Sequence, residues 1–182
     1  MKTNCLLGGF LAVSLVALPL ISQAAGPNNI EYSGKLVALP CTVHPDSNYT
    51  NVYFGENVNI KDLYTGERGE YSDRTLQFKL EKCNASLGKT ISARFTGDAT
   101  PDGLLKFDSN SEASGVVIGL ETGTGQALLI NDAKVEPIYP ISNGDLTIPI
   151  RAYLKAEPAA LQNKSIKPGS FYATLTYTLV YE

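Results

Sequence analysis

The chain has 182 residues, 43% of them apolar, and 15 Lys and Arg stand against 18 Asp and Glu for a net charge of −3. That length suits one domain with a sizeable core. The mildly acidic balance, with no basic run, argues against nucleic acid or anionic lipid surfaces as partners.

Residues 1–24 have the layout of a secretory signal peptide. Lys2 supplies the positive end, residues 6–21 are apolar apart from Ser14, and Ser22-Gln23-Ala24 offers small residues for cleavage after Ala24, with Ala25 as the second choice. The apolar run is short for a membrane span, and no second run of spanning length follows. Cys5 leaves with the peptide, so Cys41 and Cys83 remain. An even pair in an exported chain reads as one disulfide. With His44 as the chain's single histidine, the pair does not supply four ligands at zinc-site spacing, and no metal is expected.

Residues 30–36 alternate, with Ile30, Tyr32, Gly34 and Leu36 on one face and Glu31, Ser33 and Lys35 on the other. Such a segment either packs within its own domain or serves a neighbour. Beyond it the punctuation is all-β. Strands are predicted at 35–43, 51–54, 75–80, 90–96, 104–107, 116–120, 146–154 and 171–181, separated by Gly, Pro, Asn, Asp and Ser clusters at 98–103, 123–125 and 142–145. Residues 157–161 suit a short helical turn. The strand count fits a sandwich.

The last predicted strand is the most regular. Phe171, Ala173, Leu175, Tyr177, Leu179 and Tyr181 share one face, and Tyr172, Thr174, Thr176 and Thr178 the other. A strand at a terminus often lies at a sheet edge, where unpaired backbone groups invite another chain.

Enzyme chemistry finds no foothold. No Gly-x-Ser-x-Gly elbow, His-Glu-x-x-His helix, phosphate loop or dinucleotide fingerprint is present, and His44 beside Pro45-Asp46 reads as a turn residue. Asp98, Asp102 and Asp108 fall among turn residues that favour Asp for local hydrogen bonding. Neither a catalytic residue nor a cofactor is assigned.

Several motifs in order resemble the pilins of the bacterial chaperone–usher pathway, across essentially the whole chain. These are Gly169, fourteenth from the carboxyl end, with penultimate Tyr181; Leu39-Pro40-Cys41-Thr42-Val43 and Leu80-Glu81-Lys82-Cys83 around the cysteines; and the strands Ser114-Gly115-Val116-Val117-Ile118-Gly119-Leu120 and Ile148-Pro149-Ile150-Arg151-Ala152-Tyr153-Leu154. The resemblance implies an incomplete immunoglobulin-like sandwich lacking its last strand. Residues 1–24 would be the signal peptide, 25–36 an amino-terminal donor-strand extension and 37–182 the pilin domain. Ile30, Tyr32, Gly34 and Leu36 would enter a neighbouring pilin subunit, with Gly34 matching the family glycine seven positions before the cysteine. The acceptor groove, also the chaperone-binding strand, would run through Gly169, Phe171, Ala173, Leu175, Tyr177, Leu179 and Tyr181 to Glu182, whose carboxylate a periplasmic chaperone would hold.

Assembly would take place at an outer-membrane usher, after export through the periplasm, to build a fimbria on the bacterial surface. The short extension and the Tyr-Ser-Gly-Lys-Leu arrangement look most like the minor adaptor or tip-fibrillum pilins of P-type pili, in support of cell adhesion. A major rod pilin and a secreted sandwich that binds a ligand as a monomer are the alternatives.

Overall fold

The computed structural model describes residues 31–182 except 38, 48–49, 57, 66–67, 69–73 and 135–136, so the signal-peptide reading and Ile30 lie outside the described residues. Val37–Glu182 form one compact unit, and the residues up to Leu36 belong to another.

Strands form where alternation sets one face against a core. In order these are β1 (Thr42–Val43), β2 (Arg74–Cys83), β3 (Thr90–Gly97), β4 (Val116–Thr122), β5 (Ala127–Leu128), β6 (Pro137–Pro140), β7 (Gly144–Ala156) and β8 (Leu175–Tyr181), with short helices α1 (Ile60–Thr65) and α2 (Pro158–Asn163). They make a five-stranded sheet in the order β1-β2-β7-β4-β5 and a three-stranded sheet in the order β6-β3-β8. Every ladder between named strands is antiparallel. One cluster of buried side chains, including Phe78 and Leu80 from β2, Ile91 and Phe95 from β3 and Ile148 and Ile150 from β7, joins the two sheets face to face.

On β2 the alternation carries Phe78 and Leu80 inward while Thr75, Gln77 and Lys79 stay exposed. An irregularity in the β2–β7 register between Leu80 and Cys83, with Lys82 at φ 52°, inserts an extra residue and turns Cys83 inward despite its odd spacing. Cys83 is thereby joined to Cys41 in the expected disulfide.

The outer face of the larger sheet is also covered at β4, whose seven residues are all buried. A Cβ at Gly119 would fall 2.2 Å from the Tyr153 ring, so glycine there lets the tyrosine lie across the strand. The Arg68 guanidinium stacks 3.6 Å from the centre of that ring. Buried Glu121 accepts a hydrogen bond from Arg68 Nη2 at 2.9 Å and forms an ion pair with Arg151, whose Nη2 lies 2.6 Å from the carboxylate. A buried carboxylate needs such partners to offset its lost hydration.

Some element predictions need correction. Among the described residues of 35–43 only Thr42–Val43 pairs. Residues 51–54 form no ladder; two of their carbonyls accept from Arg74 instead, Nε to Tyr53 O at 3.0 Å and Nη2 to Phe54 O at 2.7 Å. Within 104–107 only Leu105 makes bridges, to Ala99 and Ile118. Unforeseen were β5, just two residues, β6, whose prolines at both ends read as breakers but suit an edge strand, and α1, too short to show a helical period. The helical turn expected at 157–161 is present as α2, with Pro158 in its first turn.

Replacing Cys41 and Cys83 together by Ser removes the cross-link and should lower stability by about 2–4 kcal/mol, read as a fall in the thermal midpoint. An unchanged midpoint would contradict a stabilising role for the bridge.

Candidate functional site

The terminal strand has a hydrogen-bonded neighbour on one side only. β8 pairs with β3 from Ile91↔Tyr181 to Gly97↔Leu175, and the sheet order ends at β8. Thr90 and Glu182 exchange backbone bonds, Thr90 N–H to Glu182 O at 2.9 Å and Glu182 N–H to Thr90 O at 3.1 Å. In an antiparallel ladder such exchanging pairs alternate with pairs that do not exchange. The backbone groups of Val180, Thr178 and Thr176 therefore point at β3, and those of Tyr181, Leu179, Tyr177 and Leu175 point away from it.

Upstream the same edge continues onto residues 108–113. Asp108 N–H donates to Tyr172 O at 2.8 Å, Glu112 N–H to Ser170 O at 2.8 Å, and Thr174 donates N–H and Oγ1–H to the Asp108 carboxylate at 3.2 and 2.9 Å. Ser111 Oγ accepts from Tyr172 N–H at 2.9 Å and donates to Tyr172 O at 3.1 Å. These partners again take the even-numbered residues. The outward edge of Phe171, Ala173, Leu175, Tyr177, Leu179 and Tyr181 has no backbone partner among the described residues.

Side chains alternate with the same parity. Phe171, Ala173, Leu175, Tyr177, Leu179 and Tyr181 all face the core, yet each stays half-buried, whereas Ile91, Ala93 and Phe95 on the adjoining β3 are buried. Half-buried apolar side chains beside an unpaired edge define a groove. The opposite wall touches it at particular points. Phe78 packs against Tyr177 with ring centroids 4.3 Å apart, Phe54 lies 5.9 Å from Phe171, and Phe107 stacks on Phe171 at 4.5 Å. The Tyr177 hydroxyl donates to Ser47 O, tying β8 to the 45–47 turn. Burial pushes the Tyr177 and Tyr181 phenols above their usual pKa, and for Tyr181 the neighbouring Tyr177 adds to the rise.

Gly169 starts this segment at φ 147°, and a Cβ there would lie 2.5 Å from Glu112 Cβ and 3.0 Å from Ala113 N. Only glycine combines that backbone conformation with so close an approach. Glu182, exposed, closes the segment with its carbonyl accepting from Lys89 and Thr90 N–H. Tyr32, Gly34 and Leu36 lie in an exposed segment without regular secondary structure, Tyr32 at 89% and Leu36 at 102% exposure. His44 stands between Asp46 and Glu81, at 3.5 and 3.4 Å. Ser47, Phe54, Phe78, Phe107, Asp108 and Ser111 border the groove or clamp its strand without having been singled out as site residues. Asp108 read as a local turn residue, and nothing in the sequence tied it to Thr174, 66 positions away.

The architecture is an immunoglobulin-like sandwich left open along its terminal strand. The chain belongs to the fimbrial protein family, whose model matches residues 30–182. It is 30% identical over 175 residues to the fimbrial adapter PapK of Escherichia coli, covering 92% of this chain and 95% of that one. It is also 29% identical over 177 residues to the fimbrial-like protein YfcP of Escherichia coli, covering 96% and 95% of the two chains. Its fold matches a chain in a structure of a chaperone–usher pilus with a TM-score of 0.66 at 19% identity, covering 91% of this chain and 100% of the other.

Gly169→Ala should cost about 1–3 kcal/mol, since the methyl group must displace the backbone at 112–113 or the strand itself. The check is thermal unfolding of the variant, and an unaltered midpoint would show that the close approach is not needed.

Proposed function

We propose that this fimbrial subunit is a minor, adaptor-type subunit of a chaperone–usher pilus that polymerises by strand exchange. In this reading the groove along Phe171, Ala173, Leu175, Tyr177, Leu179 and Tyr181 receives a strand from another subunit. The chain's own Ile30, Tyr32, Gly34 and Leu36 fill the groove of the next. The observation that carries this reading is the shared parity of the six groove residues, whose side chains face the half-open core while their N–H and C=O groups face the vacant edge. A single inserted strand satisfies both needs together.

The dimensions suit that role. An edge from Phe171 to Tyr181 spans about 35 Å at the rise of an extended strand. Residues 25–36 would reach about the same length when extended. Burying Ile30, Tyr32 and Leu36 in a groove stabilises by about 5–9 kcal/mol before ladder bonds are added. Gly34 contributes no side chain and suits a point where the groove floor is high.

A periplasmic chaperone would cover the same edge before assembly, and an outer-membrane usher would exchange it for the next subunit. Export through the periplasm follows from the signal peptide read at residues 1–24. The adaptor assignment draws support from the likeness to PapK and from the short extension. In the assembled fimbria the subunit would sit on the cell surface and support adhesion.

Tyr32→Asp places a charge on the donor face and should abolish incorporation into fimbriae while leaving the subunit's complex with its chaperone intact, because the chaperone engages the groove and not the extension. Incorporation is read by detecting the subunit in sheared fimbriae and the complex by co-purification from periplasm. Normal incorporation of the variant would refute the donor assignment.

A further inference from the structure

A second opening lies on the larger sheet, at the side of β2 away from β7. β1 pairs with β2 only at Leu80 and Glu81. Just beyond that pairing Lys79 turns its backbone to the 44–47 turn, donating N–H to Ser47 Oγ at 2.8 Å and accepting from His44 N–H at 2.9 Å. By the alternation of an antiparallel ladder, Gln77 and Thr75 point their N–H and C=O the same way. Neither has a backbone partner on that side among the described residues. Between this stretch and residues 50–53 is a cleft of about 340 Å³, within the range of small-ligand sites.

The cleft is closed at both ends, and its charged side chains are paired. At one end Ser47 binds Lys79, and at the other the Arg74 guanidinium donates to Tyr53 O and Phe54 O. The free edge from Thr75 to Gln77 is too short for a strand to add to it. Lys79 Nζ stands 3.6 Å from Asp46 Oδ2, so those two charges offset each other. What is left to meet a ligand is neutral. It consists of the backbone of Thr75 and Gln77, the exposed side chains of Asn51, Thr75 and Gln77, and Tyr53, which is 66% exposed.

We propose that this cleft binds a neutral saccharide, with a sugar ring against Tyr53 and its hydroxyls bonded to Asn51, Gln77 and the free backbone of Thr75 and Gln77. A sugar is the ligand class that meets this set. It carries no charge, its closely spaced hydroxyls both donate and accept as amides and backbone groups require, and its C–H face suits an aromatic ring. An extended peptide would use the backbone groups alone and finds its path blocked at either end. The site uses none of the six groove residues on the β8 side, so it stands whether or not that groove accepts a strand.

The test titrates galactose, N-acetylglucosamine and lactose separately into the chain purified with its chaperone, with the chaperone alone as the blank, and reads affinity by ligand-observed NMR. At least one of the three should bind. Tyr53→Ala should weaken that sugar about tenfold and Gln77→Ala about fivefold, each with an unchanged thermal midpoint because both side chains are exposed. Absence of binding by all three sugars overturns the proposal, as does an affinity that neither variant alters. Binding of the blocked tripeptide Thr-Val-Thr in place of the sugars also overturns it, and would mark the cleft as a site for extended chain.

Discussion

Everything distinctive about this subunit follows from hydrogen bonding on one side of its last strand. In an extended chain the direction of the side chain and the direction of the backbone N–H and C=O alternate together. Because the even-numbered residues of β8 spend their backbone groups on β3, and Ser170, Tyr172 and Thr174 just before it spend theirs on residues 108–113, the odd-numbered ones are left with open amides and carbonyls among the described residues. Those same odd-numbered residues are Phe171, Ala173, Leu175, Tyr177, Leu179 and Tyr181, the apolar set that faces the core. Two deficits, one of ladder bonds and one of buried apolar surface, therefore coincide along a single line. Extended backbone is the one element that would cure both, which is the physical basis for proposing a strand rather than a helix or a loop as the occupant.

The other edges of the two sheets are blunted. β1 and β5 have two residues each, and β6 begins and ends with proline. Short strands and edge prolines are ordinary protection against unwanted pairing. Residues 171–181 carry no proline and no charged side chain. That contrast within one molecule marks the β8 edge as kept open, and the surroundings hold it straight. The Asp108 and Ser111 side chains fix its upstream half, Gly169 admits the chain past residues 112–113, and Tyr177 anchors it to Ser47 across the groove. The disulfide between Cys41 and Cys83 secures the start of the opposite wall to the end of β2.

Much of this was legible in the sequence because it rests on period-two alternation and on the coincidence of several motifs. The terminal strand, β2, β3, β4 and β7 announce themselves by alternating or β-branched runs, and the all-β class follows. The fimbrial family was legible for the same reason, through Gly169, Tyr181 and the surroundings of the two cysteines. What escaped depends on contacts between distant residues. Asp108 holds Thr174, Arg74 donates to the carbonyls of Tyr53 and Phe54, and Glu121 is buried between Arg68 and Arg151. No local pattern encodes such pairings. Orphaned polar groups, the Tyr181 hydroxyl among them, are visible only once the neighbours are placed.

Amide hydrogen exchange along β8 tests the one-sided ladder most directly. In the subunit without an inserted strand, the amides of Leu175, Tyr177, Leu179 and Tyr181 should exchange fast while those of Thr176, Thr178 and Val180 are protected, and adding a donor-strand peptide should slow the first set to the level of the second. Uniform protection of all seven amides before any strand is added would show that the edge is already satisfied and would contradict the account.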